Sequence, residues 1–121
     1  MENSIKRVTI EVPDNWIVVV IPNGIKIYVS WNEKKDTPAR WKLNSGVKQI
    51  IEGKDYYIFV GYSDSMYVCK KDAYGIATYY ASEELDYMIK KTSGKVFPIK
   101  KEGLLTVLNN HTIKFKENES E

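Results

Sequence analysis

Histidine and cysteine are almost missing from this chain of 121 residues, which holds one of each, His111 and Cys69. A lone cysteine excludes an internal disulfide. One imidazole and one thiol fall short of the ligands a structural zinc site needs. The seven glycines are scattered singly, so there is no phosphate-cradling or dinucleotide-binding loop. Arginine is scarce as well, 2 residues against 16 lysines, which argues against recognition by rigid bidentate forks. The longest unbroken apolar run, Trp16–Ile21, is far too short to span a bilayer. Met1–Arg7 lacks the apolar core of a secretion signal. These absences point to a cytoplasmic protein with no membrane partner, no metal and no cofactor.

What is present is β-structure. Asn15–Ile21 is β-branched and apolar on both faces, so it reads as a central strand covered on both sides. Pro22-Asn23-Gly24 supplies a turn. Ile25, Ile27, Val29 and Trp31 then alternate with Lys26, Tyr28 and Ser30, the pattern of a half-exposed strand. Around this hairpin the pattern predicts strands at 5–12, 39–43, 56–62, 66–70 and 74–80. Val47–Ile51 is open between a strand and a helical turn. In Tyr56–Tyr62, Tyr56, Ile58, Val60 and Tyr62 share one face and Tyr57, Phe59 and Gly61 the other.

One helix is expected, at about 83–92. Ser82 is its N-cap, acids lie in its first turn and Lys90 and Lys91 in its last, and Leu85, Met88 and Ile89 form an apolar stripe. Short strands at 95–99, 104–108 and 112–115 complete the body. The fold expected is therefore mainly β, a β-rich α+β domain: a small barrel, roll or sandwich of short antiparallel strands with one helix. Residues 1–116 form a single domain and 117–121 a disordered acidic tail.

The formal charge of +2 conceals an uneven distribution. Glu117, Glu119 and Glu121 all lie in the tail, and between Tyr87 and Lys116 seven lysines face only Glu102. Tyrosine is equally uneven, with eight of nine between Tyr56 and Tyr87. Adjacent tyrosines on a strand point to opposite faces, so some of these rings lie outside the core. Exposed rings beside lysines can stack bases while the ammonium groups meet phosphates.

The first functional expectation is therefore a non-enzymatic module for an anionic ligand, single-stranded nucleic acid or a nucleotide. Its ligand-binding residues are Tyr57, Tyr67, Tyr79, Lys70, Lys71, Lys90 and Lys91. The alternative is a protein-interaction module, such as a small phage- or mobile-element-encoded inhibitor of a host protein, with Tyr28, Trp41 and the loop 32–38 as anchors. A homo-oligomer is a further expectation, since two very apolar strands in a small domain leave a patch for self-association. A minor enzyme using Cys69 is the third alternative. No catalytic set is assigned.

Overall fold

The computed structural model describes residues 8–76, 79–93 and 95–110. Its elements in chain order are β1 (Thr9–Glu11), β2 (Asn15–Ile21), β3 (Gly24–Trp31), β4 (Arg40–Leu43), β5 (Val47–Glu52), β6 (Tyr56–Gly61), β7 (Ser65–Lys70), α1 (Tyr79–Lys91), β8 (Phe97–Pro98) and α2 (Leu104–Asn110). The strands form two four-stranded sheets, ordered β1-β7-β6-β5 and β4-β3-β2-β8. Pairing is antiparallel except between β1 and β7. This is the mainly β class with few helices that the sequence predicts.

The core lies between the two sheets. Trp16 and Val18 of β2, Ile25, Ile27, Val29 and Trp31 of β3, and Tyr57, Phe59, Tyr67 and Cys69 of β6 and β7 pack together there. The alternation of β3 thus points the predicted residues inward. Trp16 is the hub. Its ring is fully buried, meets Tyr74 and Tyr57 edge-on and lies tilted against Phe59, and its indole N–H donates to the Lys70 carbonyl at 2.7 Å. One side chain of the second sheet is thereby tied to both inner strands, β6 and β7, of the opposite layer.

The other face of β2 also finds its cover. Ile17 and Val19 pack with Tyr28 against Ala81 and Leu85 of α1. The Tyr28 hydroxyl donates to the Ala81 carbonyl at 2.6 Å. Hence β3 is not half-exposed: Tyr28 and Ser30 are buried as completely as their inward neighbours, because a helix covers the face that alternation assigns to solvent.

Two other expectations fail. The described residues of 74–80 are not a strand. Tyr74 makes a single parallel bridge to Trp16, and α1 begins at Tyr79, so Ser82 sits inside the helix and not at its cap. Residues 104–108 form not a strand but α2, whose Leu104 and Leu108 enter the core between the sheets. Of the expected strand at 95–99 only Phe97–Pro98 pairs, against Val20 and Val19. Val47–Glu52 resolves as a strand with an irregular register between Val47 and Gln49. The expected strand at 112–115 and the acidic tail lie outside the described residues, as does the start of the first expected strand.

Tyr74 joins the sandwich to the segment after α1. Its hydroxyl accepts from the Val18 N–H at 3.0 Å and donates to the Ile99 carbonyl. Burial pushes the phenol up to about 12, against the opposing pull of the Val18 N–H. An unfolded tyrosine ionises near 10, so the stability gained by keeping Tyr74 neutral is fully present below that value and is lost as pH rises from there toward about 12. Urea unfolding compared between about pH 9 and about pH 11 checks this. Wild type loses stability over the interval, and Tyr74→Phe loses less.

Candidate interaction surface

The ligand-binding residues expected from the sequence do not converge. Tyr57 and Tyr67 are 5% and 1% exposed and point between the sheets. A base cannot stack on a ring already packed in the core, so neither serves as a platform. Register explains the outcome: Tyr57 lies opposite Cys69 and Phe59 opposite Tyr67, and that parity is the inward one. Lysines already lie over these rings, with Lys71 Nζ 5.0 Å from the Tyr57 ring centre and Lys42 Nζ 5.7 Å from that of Tyr67.

Tyr79 opens α1. Lys90 and Lys91 end the same helix, with Lys91 Nζ 5.6 Å from the Tyr87 ring. This helix covers the β4-β3-β2-β8 sheet, whereas Lys70 and Lys71 sit at the end of β7 in the other sheet. The four lysines therefore fall in different layers. The anchors proposed for a protein partner fare no better. Tyr28 is in the core, and Trp41 is half-buried against it with ring centres 5.6 Å apart. The loop after β3 is exposed but braced: Lys34 and Thr37 exchange backbone hydrogen bonds, and Asp14 accepts from the Asn32 N–H at 2.7 Å and from Lys34 Nζ at 3.0 Å. The hydrogen bond from the Asn32 backbone holds the Asp14 carboxyl below its ordinary range.

Cys69 is fully buried, and burial pushes its thiol well up, toward the neutral form. Such a thiol behaves as a small apolar side chain and not as a nucleophile. His111 lies outside the described residues. Among the described residues no three metal-ligating side chains come together, and no helix is long and apolar enough to cross a membrane.

One remnant of the Tyr/Lys surface survives. Lys54, Asp55, Tyr56, Lys70, Lys71 and Asp72 line an open cleft of about 400 Å³. Tyr56 is 40% exposed there, with its ring over Gly53. Charge in the cleft is nearly balanced, and Lys71 is committed to Glu52 at 2.7 Å.

The larger feature is the outer face of the β1-β7-β6-β5 sheet. Side chains that alternate with the buried Ser65, Tyr67 and Cys69 point away from the core: Met66 and Val68 on β7. By register, Ile10 lies beside Met66, Met66 beside Val60, Val68 beside Ile58, and Ile58 beside Ile51. A row Ile10–Met66–Val60–Gln49 thus borders a row Val68–Ile58–Ile51, with Lys70 and Tyr56 at one end. None of these aliphatic residues joins either core cluster. Ile10 is 64% exposed, and Val8 and Val12 on either side of β1 are about half exposed. No element among the described residues packs on this face.

Sequence reasoning placed Tyr56, Ile58 and Val60 on one face but did not mark that face as a site. The available signal was that β6 and β7, like β2, are apolar on both sides. For β2 a helix supplies the second cover, and for β6 and β7 none of the described elements does. No family model, no curated protein and no solved structure matches this chain.

Proposed function

We propose that the protein is a non-enzymatic interaction module that engages a protein partner, its own copy or another chain, through the outer face of the β1-β7-β6-β5 sheet. A single observation carries this reading: six aliphatic side chains, Ile10, Ile51, Ile58, Val60, Met66 and Val68, adjoin across four strands and belong to neither core. Contiguous apolar patches of this kind on small domains mark interaction sites. Cross-strand pairing keeps the side chains in fixed rows, so the surface is preorganised and little entropy is lost on docking. A small inhibitor or adaptor acting on another protein is one form the module takes.

Native mass spectrometry of the protein purified undenatured from its own cells tests the reading. The expected spectrum shows the chain bound to protein in fixed ratio. Ile58→Lys and Val68→Lys abolish that complex, each placing a charge in the middle of the face, while Glu84→Lys on α1 leaves it intact. A complex that survives both face substitutions contradicts the reading.

A second reading rests on the cleft at Lys70 and Lys71, where the half-exposed Tyr56 ring lies beside lysines. There the partner is an anionic ligand, a nucleotide or a single nucleic-acid strand. A bound nucleotide in the same spectrum, weakened by salt and by Tyr56→Ala, favours this reading over the first.

A further inference from the structure

We infer that the cleft beside the β5–β6 turn is a site for a nucleoside monophosphate, with the Tyr56 ring as the platform on which the base stacks and Gly53 as the residue that sets this ring in place. The inference rests on the second reading above and names its ligand.

The ring is held from one side. Gly53 donates its backbone N–H to the Tyr56 carbonyl at 2.8 Å across the turn. Its lack of a side chain makes room for the ring: a Cβ there would stand 2.7 Å from Cε1, 2.8 Å from Cζ and 3.1 Å from Cδ1 of Tyr56. Tyr56 lines the cleft and Gly53 does not, so the ring rests on backbone at one side and meets the cleft at another. The turn is tied to the end of β7, where the Asp55 carbonyl accepts from the Lys71 N–H at 2.9 Å. A ring fixed in this way loses little freedom when a planar group stacks on it.

Charge sets the size of the ligand. Lys70 stands opposite Tyr56 in the β6–β7 ladder. Among the described residues neither Lys54 nor Lys70 has an ion-pair partner, whereas Lys71 is held by Glu52. Two free ammonium groups match one phosphate, which carries close to two charges at neutral pH. Asp55 and Asp72 line the same cleft. They oppose a longer phosphate chain and accept from N–H and hydroxyl groups of base and ribose.

The number of platforms argues against an extended strand. Single-strand binding uses successive rings along a groove. Tyr57 and Tyr67 are in the core, and Tyr62 lies past the far end of β6, about 20 Å from Tyr56. A volume of about 400 Å³ is that of a small-ligand site.

Isothermal titration calorimetry of the purified full chain tests the proposal, with adenosine monophosphate, adenosine triphosphate, adenosine, inorganic phosphate and an oligothymidylate as probes. The monophosphate is expected to bind at least about tenfold tighter than each of the others. Tyr56→Ala weakens it roughly five- to a hundredfold, the worth of one base–aromatic stack, and Tyr56→Phe stays within about twofold of wild type. Gly53→Ala, whose Cβ pushes the ring from its seat, falls between these two. Lys54→Gln and Lys70→Gln each weaken binding several-fold, and added salt narrows the difference. Circular dichroism verifies the fold of every variant. Binding indifferent to Tyr56→Ala overturns the platform, and binding indifferent to Gly53→Ala overturns the seat. A triphosphate that binds tighter overturns the monophosphate assignment. Oligothymidylate bound through Tyr56 where the monophosphate is not overturns the inference and leaves the broader anionic-ligand reading standing. No heat with any probe, together with no nucleotide on protein from its own cells, overturns both.

Discussion

Replacing Trp16 by alanine lowers the free energy of unfolding by about 3–5 kcal/mol, the cost of deleting a large aromatic from a packed core. For a domain whose total stability is of order 5–15 kcal/mol, that leaves a marginal fold. The reason is position as much as size. Trp16 sits on β2 with rings of the opposite sheet at 5.3 Å (Phe59) and 6.0 Å (Tyr57), and with Tyr74 at 4.7 Å. Its loss opens a cavity between layers that share no strand. Trp16→Phe separates the two contributions: it keeps much of the apolar contact and leaves the Lys70 carbonyl without its indole donor, costing about 1–3 kcal/mol from that source. Urea unfolding followed by circular dichroism measures both. A loss below about 1 kcal/mol for Trp16→Ala would contradict the placement of the core.

Leu108→Ala is the second large effect, about 2–5 kcal/mol. Leu104 and Leu108 are one helical turn apart, 8% and 0% exposed, and both enter the inter-sheet core. Leu105, next to Leu104, is 64% exposed, so Leu105→Ser stays within about 0.5 kcal/mol of wild type. Thr106 is exposed too. A strand through 104–108 would bury Thr106 with the two leucines, and Thr106→Lys would then be costly. In a helix it is neutral. Unfolding free energies of the three variants therefore distinguish helix from strand without a new structure.

The hairpin was legible because its signals agree: β-branched residues, a Pro-Asn-Gly turn and strict alternation in β3 all lead to the same place. The two faces of β6 were legible for the same reason. Residues 74–80 and 104–108 were not. Both are short apolar runs, which periodicity cannot assign, and the aromatic content of the first favours a strand by propensity alone. What settles α1 from Tyr79 is tertiary: the Ala81–Leu85 spacing matches the Ile17–Val19–Tyr28 surface, and the Tyr28 hydroxyl meets the Ala81 carbonyl.

The site was less legible than the fold. Alternation says that Tyr56 and Tyr57 point apart, and only the pairing of β6 with β7 says which of them is inside. The clustering of tyrosines in sequence came from strand and core preference, and two of the rings proposed to bind a ligand hold the sheets together. Lysines close in sequence parted in space because β7 and α1 belong to different layers. The apolar outer face is a property of register across four strands, and no single segment displays it.

The central claim is that this outer face meets a protein surface. Photo-crosslinking tests it most directly, with benzoylphenylalanine substituted for Ile58, for Val68 or, as a control on α1, for Glu84. Irradiation of the native protein is predicted to give discrete protein adducts from positions 58 and 68 and none from 84, with an adduct of twice the chain mass where the partner is a second copy. Absence of adducts from both 58 and 68, or equal yield from 84, would contradict the account.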